Sequence, residues 1–140
     1  VDMAPESAMI AHGWELHSTK DGSDKFYRVL VIDTVTLINY GPKNTTGQFV
    51  AHCFAGVGDA AKTAQEKARI LTNAKSEKGY RITRDFTEFT VDRPHAALLA
   101  DLGYGPHRAN RIPAEIRETI VARFRRAADE QGTATVGASL

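Results

Sequence analysis

From Trp14 to Ala55, apolar and polar residues alternate in short runs, the period of half-buried strands. Trp14-Glu15-Leu16-His17 predicts a first strand. Ser18 to Asp24, with its Asp21-Gly22 pair, predicts a turn. Lys25 to Ile32 is aromatic and β-branched, a strong strand pattern. Tyr27, Val29 and Val31 form its wholly apolar set and are expected to face the core; Phe26, Arg28, Leu30 and Ile32 form the other set. Thr34 to Tyr40 predicts a third strand, Gly41 to Gly47 a turn, and Gln48 to Ala55 a fourth strand. Short loops joining alternating strands argue for an antiparallel meander.

The period changes at Gly58. Asp59 is a good N-cap, and Ala60, Ala64, Ala68 and Leu71 recur at helical spacing up to Gly79, which suits the C-terminal cap. The small residues let this helix sit close on the sheet. Tyr80 to Thr83, or Phe86 to Val91, could add a fifth strand. Beyond Arg93-Pro94 the chain reads as helical: a short helix from His95 to Leu102, a loop at Gly105-Pro106, and a last amphipathic helix. Ile116, Ile120, Phe124 and Ala127 line one face of that helix, and Pro113 lies in its first turn. The expected fold is α+β, a small antiparallel sheet of four to five strands with one helix packed on it and a helical C-terminal extension. The expected divisions are a flexible tail over 1–11, a domain over 12–91, the extension over 92–131 and a flexible tail over 132–140.

Composition adds boundaries rather than direction. Hydrophobic residues are 42% and charged residues 25%, as in ordinary globular chains. No apolar run reaches the roughly 18–20 residues that span a bilayer, so no membrane role is expected. Val1 to Ser7 lacks the pattern of a signal peptide and reads as a frayed tail, with Met3 or Met9 as candidate natural starts. The single cysteine, Cys53, favours a reducing cytoplasm. A net charge of +1 says little about partners, so any nucleic-acid signal must be local.

Five pieces in order resemble the WGR family. They are Lys25-Phe26-Tyr27, then Tyr40-Gly41-Pro42-Lys43-Asn44-Thr45-Thr46-Gly47-Gln48, then Phe54, the helix from Asp59, and Lys78-Gly79-Tyr80. The likeness runs from about Glu15 to Ile82. The family's Trp is Tyr40 here, its Arg is Pro42, and a further Gly is Asn44, a residue that tolerates left-handed backbone. In poly(ADP-ribose) polymerases, modules of this family help to hold DNA near a strand break. The resemblance therefore implies a non-enzymatic nucleic-acid-binding module, with DNA the expected partner. Tyr40, Lys43, Gln48, Lys75, Lys78 and Arg81 are the expected contacts, with Arg125 and Arg126 of the last helix as additional cations. Loss of the signature Arg would weaken or move the contact.

The residues themselves agree in kind: phosphates need surface Lys or Arg, and bases can stack on exposed rings. Arg28 could reach out of its strand, and Arg84 follows the helix beside Lys75, Lys78 and Arg81. The alternative reading is a protein-interaction module without nucleic acid. Gly56-Val57-Gly58-Asp59-Ala60-Ala61 fits a dinucleotide-binding pattern, with Glu77 about 20 residues on. Asp59, however, would put a negative charge where a pyrophosphate must sit, and the strands are not parallel. No cofactor is expected. The five histidines lack paired metal-ligand spacing. His52 and Cys53 are neighbours on a strand and point apart, Cys53 being a small core residue. No catalytic grouping is visible, so no enzyme activity is expected.

Overall fold

A computed structural model describes residues 7–139. Residues 1–6 of the tail expected over 1–11, and Leu140 of the tail expected over 132–140, lie outside them. Six strands form one antiparallel sheet: β1 (Ala8–Ser18), β2 (Lys25–Ile32), β3 (Val35–Pro42), β4 (Gln48–Cys53), β5 (Arg81–Asp92) and β6 (Gly105–Arg108). Their order is β5-β1-β2-β3-β4-β6. Among the described residues, three α-helices cover the sheet: α1 (Ala60–Glu77), α2 (Arg93–Ala100) and α3 (Ala114–Ser139).

The α+β meander is as the alternation predicts, with more sheet than expected. β1 starts at Ala8, inside the segment expected as tail, because Ala8 to Ala11 pair with β5. Both candidate fifth strands belong to the single strand β5, which carries a bulge opposite Glu15. The Gly105-Pro106 loop is instead the start of β6, paired with β4. Pro lacks an N–H donor and is tolerated here because β6 is an edge strand. The helix predicted to end before Gly132 continues to Ser139.

The sheet is covered on both faces, by different segments. On one, α1 packs over β1, β2 and β3, and Ala64 and Ala68 sit flush against Leu16, Tyr27, Val29, Val31 and Ile38. Asp59 caps this helix by accepting from the Lys62 N–H at 3.2 Å, and Gly79 follows it with φ +98°. On the other face, Leu30, Ile32, Leu37 and Phe49 pack with Leu99 of α2 and Ile120 and Phe124 of α3. The second strand set is therefore also core. The helical extension completes the fold's hydrophobic interior.

Candidate nucleic-acid interface

The β3–β4 turn is built from its sequence. Thr45 N–H and Thr45 Oγ1 both donate to the Pro42 carbonyl, at 3.2 Å and 2.7 Å. Asn44 takes the left-handed conformation at φ +67°, as the Gly-to-Asn departure allows. Gly47, at φ +77°, is required: a Cβ there would lie 2.5 Å from the Tyr40 carbonyl oxygen and 2.7 Å from the Phe26 ring.

The strand ends, the turn and the C-terminus of α1 meet around two adjoining hollows. The first, of about 630 Å³, holds Tyr40, Gln48, Lys25, Lys75, Tyr27 and Tyr80. The Tyr40 hydroxyl donates to Gln48 Oε1 at 3.1 Å. Tyr27 sits between the other two rings, 6.2 Å from each. Lys75 Nζ lies 4.6 Å from the Tyr27 ring and 5.3 Å from the Tyr80 ring, within cation–π range. Burial, then the charges of Lys78 and Lys25, lowers the proton affinity of Lys75. Burial, with the neighbouring Tyr40 and Tyr80, pushes Tyr27 up to about 12. The second hollow, of about 520 Å³, is lined by Lys20, Lys43, Lys78 and Arg81, with Glu77. Asp24 lies on the border of both.

Of the expected contacts, Tyr40, Gln48 and Lys75 come together in the first hollow, and Lys43, Lys78 and Arg81 in the second. Lys43 does not line the Tyr40 hollow. It pairs across the strand ends with Asp24 at 3.8 Å, and Lys25 and Lys75 flank the Tyr40 hollow instead. Lys25, Lys20, Tyr27 and Tyr80 extend the site beyond the sequence expectation; Lys25, Tyr27 and Tyr80 stood inside the pieces that carried the family resemblance. Arg28 does not reach out. It is buried, with Nε on Glu15 at 2.6 Å and Nη1 on Asn39 at 2.7 Å. Arg84 leaves the lysine cluster as well, bonding Glu15 and Asp129. Arg125 lines a different groove on the opposite face, and Arg126 is exposed on α3.

Among the described residues, no group of three or more His, Cys, Asp or Glu is placed to hold a metal ion. No described helix is long and apolar enough to cross a membrane. Cys53 is buried with its thiol on the Leu99 carbonyl, and burial raises its proton affinity. The glycine loop before α1 follows an antiparallel strand, and the Asp59 carboxylate occupies the helix start. Comparison with known proteins finds the WGR domain over residues 14–87, from the middle of β1 into β5. No curated protein and no solved structure matches the chain.

Proposed function

The chain belongs to the WGR domain family, and on that premise we propose that it is a non-enzymatic, cytoplasmic module that binds nucleic acid, DNA in particular, through the two hollows at its signature turn. The observation that carries this reading is the pairing of a ring with cations there. Tyr40 shares a hollow with Lys25 and Lys75, and four further cationic side chains line the adjoining one. A base or sugar face lies against Tyr40, the phosphate beside it meets Lys25 and Lys75, and the following phosphates track past Lys78 and Arg81. The lysines of β2 and α1 thus supply the charge that Pro42 removes from the signature.

The test is a titration of fluorescent duplex and single-stranded DNA with the intact protein at two salt concentrations. Binding through phosphates weakens steeply as salt rises, because bound cations are released from the nucleic acid. No binding at low salt would reject this reading. The second reading, a protein-interaction module, is favoured by one specific feature. At the β1–β5 end, Ile10 is 61% and Phe86 52% exposed, and Phe86 packs edge-on to Trp14. Large apolar groups so exposed suit a protein contact.

A further inference from the structure

The sheet face opposite α1 carries a groove of about 620 Å³ between α3 and the β3–β4 turn. Its floor is a polar row across four adjacent strands: Arg84 on β5, Glu15 on β1, Arg28 on β2 and Asn39 on β3, each opposite the next in register. Buried charges are tolerated only when paired. Glu15 is paired twice, Oε1 accepting from Arg28 Nε and Oε2 from Arg84 Nη1. Within the row the two guanidiniums share that one carboxylate. Arg84 has a second acid in Asp129 of α3, at 2.8 Å.

Arg28 has no second acid. Its Nη1 goes to the neutral Asn39 amide oxygen, and its guanidinium lies 4.0 Å over the Phe26 ring. Nη2 is the nitrogen left to meet a ligand. Arg125 of α3 lines the same groove and makes no ion pair among the described residues. Burial lowers the proton affinity of Arg28, and the charges of Arg125 and Arg84 add to it, so these cations feel one another. Lys43, Asn44 and Thr46 of the turn form the facing wall, and Glu118 is the groove's other carboxylate.

We propose that this groove binds a compact oxyanion, a phosphate group, between Arg28 and Arg125. The Arg125 guanidinium offers parallel donors that match two phosphate oxygens, Arg28 adds Nη2, and these charge-assisted bonds strengthen where the floor is dry. Neither Arg28 nor Arg125 lines the hollows of the nucleic-acid surface, so this site stands whether or not that surface binds DNA. The phosphate is either free or carried by a small ester.

The experiment is a ¹H–¹⁵N titration of the full chain at constant ionic strength, with inorganic phosphate in one arm and glycerol 3-phosphate in the other. Saturable shifts are expected at the Arg28 Nε–H and the Asn39 side-chain amide, and the arm that saturates first names the source. Arg125→Gln, at an exposed helix position, is expected to weaken binding by about tenfold or more. Arg126→Gln, its exposed neighbour outside the groove, is expected to leave it unchanged. Shifts that never saturate in either arm, or an Arg125→Gln protein that binds as the parent does, would overturn the proposal.

Discussion

Arg28 Nη1 donates to Asn39 Oδ1 at 2.7 Å, and Asn39 Nδ2 donates onward to the carbonyls of Thr46 and Gln48 at 2.9 Å and 3.1 Å. A buried guanidinium thus holds the signature turn from beneath, and the amide between them turns its orientation into the turn's shape. Both residues sit in the sheet interior, Asn39 at 0% and Arg28 at 7% exposure.

Asn39→Leu removes one acceptor and two donor bonds at once. The Arg28 nitrogen and two carbonyls lose their partner, each such loss costing about 1–3 kcal/mol when the group stays dry. The expected result is a loss of about 2–4 kcal/mol in urea-unfolding stability, with amide exchange at Thr45 to Gln48 accelerating more than elsewhere. A change below about 1 kcal/mol would show that the turn holds its shape without Asn39.

Glu15 governs acid stability. Burial pushes its carboxyl up, but the hydrogen bonds and charges of Arg28 and Arg84 outweigh burial, and the net shift is down from 4.5. A carboxyl whose folded value is depressed adds stability above its unfolded value and loses it as pH falls through the folded one. Unfolding free energy should therefore fall as pH drops below about 4.5. Glu15→Gln is expected to flatten that fall while lowering stability at neutral pH by about 3 kcal/mol, since it leaves the buried Arg28 guanidinium without a carboxylate while Arg84 keeps Asp129. Denaturant unfolding across acid pH checks both parts.

Gly47→Ala tests the turn's backbone. The added methyl meets the Tyr40 carbonyl oxygen at 2.5 Å, at a positive φ that L side chains rarely adopt. The expected cost is about 2 kcal/mol or more. By contrast, Gly22→Ala at φ +76° meets nothing within 4 Å, so it isolates the backbone term alone and should cost less. Paired thermal melts of the two variants separate strain from clash.

How much of this was readable in the chain depended on whether neighbours or distant segments set a residue's environment. β2 was legible because Tyr27, Val29 and Val31 alternate with no competing pattern. α1 was legible because Asp59, Ala64, Ala68 and Gly79 state its start, buried stripe and end. β6 was not: Gly105-Pro106 carries loop chemistry, and only its pairing with His52 and Cys53 makes it strand. The burial of Arg28 was equally hidden, since it depends on Glu15, thirteen residues upstream, and on α3 closing the far face. For the candidate site, the turn was visible as a motif. Lys25 was not singled out, because the first residue of a strand says nothing about which hollow it borders.

The last prediction separates stacking from charge at the two hollows. Tyr40→Ala should weaken DNA binding by about 1–3 kcal/mol if its ring stacks on a base, with the salt dependence unchanged. Lys25→Ala and Lys75→Ala should each weaken binding and lower the salt slope by about one, the signature of a lost phosphate contact. Lys75 differs from Lys25 in resting on the Tyr27 and Tyr80 rings, so its removal also frees those rings and should alter tyrosine fluorescence without DNA. Lys43→Ala should have the smallest effect of the three lysines, because Asp24 already offsets its charge. Each variant is first matched to the parent by circular dichroism and melting, since Tyr40 also packs on Tyr27. A Lys43 variant that loses more affinity than Lys25 and Lys75 variants would move the phosphate path to the second hollow, and equal affinity in all four would remove the turn from the binding surface.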